Sequence, residues 1–128
     1  MAEIMHEMAV THSILDIAVQ HAQQAGASRI TRIHLVVGEM SGIVSDSVQL
    51  YFDFLSKDTM AESAQLSFDR RPAVYRCRAC NTTYHPEGFA WECPACDVLS
   101  FEVISGREFQ VESIEVDGGL THGENQIE

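Results

Sequence analysis

Basic residues are scarce in this sequence. Of its 128 residues only eight are Lys or Arg, whereas nineteen are Asp or Glu, so the formal net charge is -11 with neutral histidines. Such a charge repels a phosphate backbone, and the composition therefore argues against a nucleic-acid partner. An acidic surface suits cations and basic patches on other proteins, or it simply keeps the protein soluble.

Long apolar runs are missing as well. No stretch approaches the roughly 20 residues that a membrane-spanning helix requires. The first residues, from Met1 to Glu7, contain acids and lack the basic start and apolar middle of a signal peptide. We therefore expect a cytoplasmic protein with no membrane partner.

Recognisable catalytic machinery is also absent. The sequence shows no nucleophile with a paired base, no glycine-rich phosphate loop and no open metal site, so we expect that the protein is not an enzyme.

What the sequence does contain is an alternation of helical and extended patterns. Apolar residues recur with helical spacing from Met8 to Gln24, and Gly26 follows where a left-handed cap is common. Ile30 to Val37 alternate as in a strand. Ser45 is the predicted N-cap of a second helix that ends near Lys57.

Two further strands are predicted, one around residues 65–69 and one after Gly106. In the last strand the apolar phase changes, which predicts a bulge near Glu112 and Ser113. The order of elements indicates an α+β domain in which a small mixed sheet is flanked by two helices. We assign residues 1–70 and 106–117 to this domain, and residues 118–128, which are rich in glycine and acids, to a mobile acidic tail.

The remaining segment, residues 71–105, contains all four cysteines. Cys77-Arg78-Ala79-Cys80 and Cys93-Pro94-Ala95-Cys96 are separated by twelve residues, the spacing of two tight turns that each present two sulfurs to one metal ion. Four thiolates with no open position are typical of structural zinc. Iron in a rubredoxin-like site is the chemical alternative. A ribbon of this size cannot bury enough surface to fold alone, so the zinc is expected to stabilise an inserted zinc-ribbon domain.

Several motifs together resemble the hydrogenase nickel-insertion metallochaperones, the HypA/HybF family. They are Met5-His6-Glu7-Met8 before an amphipathic helix, Val37-Gly38-Glu39-Met40-Ser41-Gly42, the paired cysteines and the closing segment 106–116. The resemblance implies a nickel metallochaperone that passes Ni(II), with a maturation GTPase, to the large subunit of a nickel-iron hydrogenase. Some relatives also serve urease.

The resemblance also implies a nickel site at the start of the chain. The family's Met-His-Glu motif falls on Met5-His6-Glu7, which makes His6 the principal nickel ligand and Glu7 the neighbouring one. An imidazole beside backbone amides and a terminal amine suits square-planar nickel. Four residues, Met1 to Ile4, precede the motif here. Either translation starts at Met5, or His6 binds nickel without the amine.

Two other function classes compete with nickel delivery. A zinc-ribbon protein-interaction module would have the cysteine site and no nickel. A nucleic-acid-binding ribbon would need a Lys/Arg stripe that this sequence does not have. The sequence leaves the oligomeric state open.

Overall fold

The structure is a computed structural model that describes residues 2–86, 92–117 and 119–126, with only the backbone described for residues 2–6 and 119–126. Two helices and seven strands occur in these ranges: α1 Ala2–Gln24, β1 Ile30–Gly38, α2 Ser45–Leu55, β2 Gln65–Arg71, β3 Val74–Cys77, β4 Thr83–Tyr84, β5 Phe101–Ser105, β6 Phe109–Val116 and β7 Gly119–Gln126. A 3₁₀ turn, Glu39–Ser41, lies between β1 and α2. Neither α1 nor α2 is long and apolar enough to cross a membrane.

The strands form two sheets. One has the order β2-β1-β6-β7 and the other the order β4-β3-β5. Strand β6, which follows the cysteine segment, lies next to β1, which precedes it. The predicted α+β fold with an inserted ribbon is therefore confirmed.

The chain divides into two compact units. The first unit comprises the described parts of residues 1–36, 43–69 and 109–128, and the second comprises those of 37–42 and 70–108. The core of the first unit includes Val10, Ile14 and Ala18 of α1, Ile30, Ile33 and Leu35 of β1, Val48 and Phe52 of α2, and Val111 and Ile114 of β6.

The segment 37–42 groups with the cysteine-containing unit, although the sequence pattern placed it in the α+β domain. The backbone explains the difference. Gly38 donates to the carbonyl of Glu108 over 2.6 Å, and Met40 donates to that of Gly106 over 2.6 Å. A Cβ atom at Gly38 would lie 2.1 Å from the carbonyl oxygen of Gly106, so this approach requires glycine.

Helix α1 begins six residues earlier than the periodicity predicted. Its first residue is Ala2 rather than Met8, so His6 lies inside the helix and not before it. Residues 2–7 contain neither glycine nor proline to stop a helix, whereas the apolar pattern used to define its start only begins further along. Gly26 has a φ of 72°, as expected for the predicted left-handed cap.

The N-cap of α2 also differs from the prediction. The cap residue is Val44 and Ser45 is the first helical residue. The carboxylate of Glu7, in α1, accepts a hydrogen bond from the Val44 amide over 3.0 Å. A partner 37 residues away thus satisfies a donor at the start of the helix, where a local serine was expected.

The C-terminal segment was predicted to be a mobile tail, but Gly119–Gln126 form strand β7, which pairs antiparallel with β6. Without β7, the backbone of β6 would be an open sheet edge. The register of this pair shifts between Val111 and Ser113. The shift lies at the position of the predicted bulge, but the step of two residues from Val111 to Ser113 in β6 faces a step of three residues from Asn125 to His122 in β7. The extra residue is therefore in β7 and not in β6, as had been predicted.

One carboxylate fastens the end of β6 to the chain just before β1. Asp117 accepts hydrogen bonds from the amides of Ser28 and Arg29 over 3.1 and 3.0 Å and bonds the Ser28 hydroxyl. These bonds, the Ser28 side chain first, lower the pKa of Asp117 below its ordinary value of 3.8. They favour the ionised form, so the stabilisation is present above pH 3.8 and is lost as the pH falls through the lowered pKa.

We predict that Asp117→Asn lowers the urea midpoint of the first unit at pH 7, because the amide accepts these hydrogen bonds more weakly than the carboxylate. The gap between the two proteins should shrink as the pH falls below 3.8 and through the lowered pKa, where the native Asp117 also becomes protonated. Urea titrations followed by circular dichroism at several pH values measure both effects. Glu62→Gln removes one exposed charge elsewhere and should leave the midpoint unchanged; an equal shift in that variant would contradict the assignment.

Candidate metal centre

The first cysteine pair lies on a tight turn between β3 and β4. The amide of Asn81 donates to the carbonyl of Cys77 over 2.9 Å, and the amide of Cys77 donates to the carbonyl of Thr82 over 2.9 Å. Asn81 has a φ of 63°. The turn therefore closes on itself immediately after Cys80.

The second pair repeats this geometry. The amide of Asp97 donates to the carbonyl of Cys93 over 2.8 Å, and the amide of Cys93 donates to the carbonyl of Val98 over 3.1 Å. Asp97 has a φ of 61°. The amide of Ala95 also points to the Cys93 sulfur, over 3.4 Å. Both pairs thus adopt the same loop conformation.

Asn81 and Asp97 are structural residues of the site that the cysteine spacing alone did not identify. Each directly follows the second cysteine of its pair and adopts a left-handed conformation, which Asn and Asp tolerate better than other non-glycine residues. A Cys-x-x-Cys motif followed by Asn or Asp was the available signal. It would have predicted where each loop reverses.

The four sulfurs converge. The Sγ atoms of Cys77 and Cys96 are 3.6 Å apart, as are those of Cys80 and Cys93, and all four sulfurs lie within 4.8 Å of one another. A tetrahedral zinc ion with bonds of about 2.3 Å requires sulfur separations of about 3.8 Å. The four cysteines therefore fit a structural zinc ion and leave no ligand position open.

The surroundings of two of these sulfurs shift their pKa values in opposite directions. A side-chain and a backbone hydrogen bond with Thr82 lower the pKa of Cys80 to about 6. At Cys96 a backbone bond with Val98 acts in the same direction, but the bond with Cys77, burial and the other cysteines outweigh it and raise the pKa to about 12. Neighbouring thiolates repel one another, and a divalent cation removes that penalty.

A small aromatic cluster supports the site. The ring of Tyr75 stacks on Phe101 at 4.3 Å between centroids and meets Tyr84 edge-on at 5.8 Å. Burial, followed by the nearby cysteines, raises the pKa of the Tyr84 hydroxyl. These rings belong to a hydrophobic cluster whose buried residues are Ala73, Tyr75, Cys77, Tyr84 and Cys93. Met40 of the 3₁₀ turn packs against this cluster.

The side chain of His6, the predicted nickel ligand, lies outside the described residues. Glu7 is described: it is buried, and one of its carboxylate oxygens accepts the Val44 amide. Among the side chains that the structure describes, the four cysteines are the one group of three or more ligand-type residues close enough to share a metal ion. Three other histidines pair with acids: His12 with Asp16, His34 with Glu115 and His85 with Glu39.

We predict that Cys77→Ala or Cys93→Ala releases one zinc ion per chain and unfolds the second unit, because zinc contributes on the order of 10 to 16 kcal/mol in small cysteine sites. Metal analysis and near-UV circular dichroism measure the two effects. His85→Ala removes a different ligand-type side chain from the same unit and should retain full zinc. Full zinc occupancy in either cysteine variant would rule out the four-cysteine site.

Comparisons with known proteins identify the family. The family model described as "Hydrogenase/urease nickel incorporation, metallochaperone, hypA" matches residues 5–116. A protein named hydrogenase maturation factor HypA from Dehalococcoides mccartyi is 50% identical over 113 residues, which are 88% of this chain and 95% of that protein. A protein of the same name from Caldanaerobacter subterraneus is 37% identical over 114 residues, 88% of this chain and 100% of that protein.

Solved structures show the same fold. The solution structure of a HypA protein superposes with a TM-score of 0.68 at 22% identity and covers 88% of this chain and 96% of its own. The solution structure of the Ni metallochaperone HypA from Helicobacter pylori gives a TM-score of 0.61 at 20% identity, with 86% and 96% covered. With the sequence match extending from the Met-His-Glu motif through both cysteine pairs, this chain belongs to the HypA family of hydrogenase and urease nickel-incorporation metallochaperones.

Proposed function

We propose that this protein is a nickel carrier of the cytoplasm without catalytic activity of its own. It binds Ni(II) at His6 and, with a maturation GTPase, delivers the ion to the large subunit of a nickel-iron hydrogenase. The observation that carries the proposal is the extent of the family match, which begins at Met5, includes His6 and Glu7, and continues to residue 116. The shared name of these relatives, hydrogenase maturation factor HypA, favours a hydrogenase as recipient.

The two proposed metals have opposite requirements, which supports giving them separate sites. A four-sulfur site holds zinc with no position open to a competing ligand, and is suited to permanent binding. A carrier must surrender its ion. An imidazole with backbone amides near a chain end offers nickel nitrogen ligands without a buried cage.

The helical position of His6 constrains how nickel can bind. In an α-helix each amide bonds the carbonyl four residues earlier, so the His6 amide is paired with the Ala2 carbonyl while α1 extends to Ala2. An amide that serves as a nickel ligand must leave that bond and lose its proton. Nickel binding through the His6 amide therefore requires the first turn of α1 to open, which is feasible because helix ends fray.

Glu7 remains the proposed second nickel ligand, with one restriction. Its Oε2 atom accepts the Val44 amide at 3.0 Å, so the other carboxylate oxygen or the Glu7 backbone amide would contact the metal. Retaining the bond to Val44 keeps the capped end of α2 intact while nickel is bound.

The alternative is a zinc-ribbon interaction module without nickel delivery. It predicts the same four-cysteine cluster and the same fold, and it differs only in having no nickel site. Nickel titration of the purified protein therefore separates the two functions.

We predict that His6→Ala abolishes nickel binding measured by isothermal titration and leaves one zinc per chain. Affinity of the unmodified protein should fall as the pH is lowered through about 6.5, since a protonated imidazole cannot bind metal. His12→Ala removes an exposed histidine from the same helix and should bind nickel normally. Unaltered nickel affinity in His6→Ala would contradict the proposed site, and loss of both metals would indicate one shared site.

We predict further that removing Met1 to Ile4 tightens nickel binding at least about tenfold, or about 1.4 kcal/mol. The trimmed chain starts at Met5, so its terminal amine, the His6 amide and the imidazole form adjacent chelate rings, and the Ala2 carbonyl no longer competes for the amide. Titration of both forms at one pH is the measurement. Equal affinities would mean that the amine is not a ligand, and the zinc content of the two forms should be identical.

A further inference from the structure

The outer face of α2 carries two large apolar side chains in solvent. Leu50 is 66% exposed and Phe54 is 67% exposed, whereas Val48 and Phe52 on the inner face are fully buried. A single exposed apolar residue is ordinary in a soluble protein. Residues four apart, however, lie one above the other on a helix, so Leu50 and Phe54 form one apolar stripe.

A row of carboxylates runs beside this stripe. Asp46 and Asp53 are exposed and lie seven residues apart, two turns along the same edge of α2. Asp53 is held in place, because its Oδ1 atom accepts a hydrogen bond from the Gln49 side chain over 2.8 Å. Gln49 in turn accepts the Leu66 amide over 3.0 Å. The carboxylate therefore has a fixed position on the helix surface.

The same edge opens into a cleft. Asp53 lines an open depression of about 330 Å³ together with Lys57, Glu62, Ser63 and Gln65. The ammonium group of Lys57 lies 5.6 Å from the centre of the Phe54 ring, which is within range of a cation–π interaction. Around the stripe, the carboxylates of Asp46, Asp53 and Glu62 outnumber this one ammonium group.

We propose that these features form a docking surface, the α2 patch, defined by Asp46, Leu50, Asp53, Phe54 and Glu62. Its occupant is an amphipathic segment of a protein partner that places apolar side chains on Leu50 and Phe54 and a Lys or Arg side chain beside Asp53 and Glu62. Charge selects this occupant, because an apolar stripe edged by acids complements a basic amphipathic segment.

A second copy of this chain does not match the α2 patch. Self-association about a two-fold axis would bring each carboxylate row against the same patch of its partner. It would also join two chains that each carry a net charge of -11. The proposal rests on the proposed function in one respect: the partner is taken to be the recipient of the nickel, the hydrogenase large subunit.

The test measures binding of the full-length, zinc-loaded protein to the purified hydrogenase large subunit by biolayer interferometry. Leu50→Ser/Phe54→Ser should weaken this binding by about tenfold or more. Asp46→Asn/Asp53→Asn should weaken the same complex by about three- to tenfold at low salt and reduce its salt dependence. Asn at position 53 can still accept the Gln49 hydrogen bond. Leu99→Ser, a 63% exposed leucine of the second unit, is the matched control and should bind within about twofold of the unmodified chain.

Three results would overturn the proposal. They are binding of the large subunit by both double variants within twofold of the unmodified chain, no binding of the large subunit by the unmodified chain, or an equal loss of binding in Leu99→Ser. Sedimentation equilibrium adds a fourth: a dimer of the unmodified chain that Leu50→Ser/Phe54→Ser converts to monomer would assign the α2 patch to a second copy. Nickel titration of the same variants keeps the two proposals distinguishable, because a failed docking surface leaves His6-dependent nickel binding intact.

Discussion

The convergence of four sulfur atoms on one point is the constraint on which the second unit depends. Among the residues of this unit that the structure describes, the buried cluster has five members, and two of them are the ligands Cys77 and Cys93. Strands of four, two and five residues cannot remove enough apolar surface from water to hold such a unit together. The sulfurs therefore belong to the core as well as to the metal site, and the two matching loops make structural sense only around a shared cation.

The first unit is stabilised differently. Its helices and strands bury an ordinary apolar core, and its loose ends are fastened by carboxylates: Glu7 caps α2 at Val44, and Asp117 accepts the amides of Ser28 and Arg29. None of these described contacts requires a metal ion. A carrier gains from this arrangement, because a nickel ion that leaves a fold held by apolar packing and hydrogen bonds does not take the stability of that fold with it.

The sequence patterns predicted the features that depend on residues close together in the sequence. Helical spacing identified α1, alternation identified β1, and a change of phase in β6 marked the position at which the pairing of β6 with β7 shifts register. The cysteine spacing predicted the cluster because each pair forms its own turn. Two of the failures have a different cause. The cap of α2 is supplied by Glu7, 37 residues distant, and β7 is ordered by backbone pairing with β6, which needs no apolar alternation. A pattern read over a few neighbouring residues contains no information about partners this distant in the sequence.

The hydrogen bond between Glu7 and Val44 also relates the two proposed activities of the first unit. Glu7 is the neighbour of His6 in sequence, and Val44 is the residue from which α2 starts. Leu50 lies six residues further on, about 9 Å along the helix axis. A partner docked on the α2 patch is therefore bound to the helix whose N-terminus is capped by Glu7, a residue of the nickel motif.

Charge then acts on the ion and on the partner in the same direction. The excess of acids that repels nucleic acid attracts both Ni(II) and a basic segment. A basic segment bound on α2 lowers the affinity of the protein for the cation through electrostatic repulsion. By linkage, the bound cation lowers the affinity for the segment by the same factor. Arrival of the recipient would thus itself favour release of the nickel.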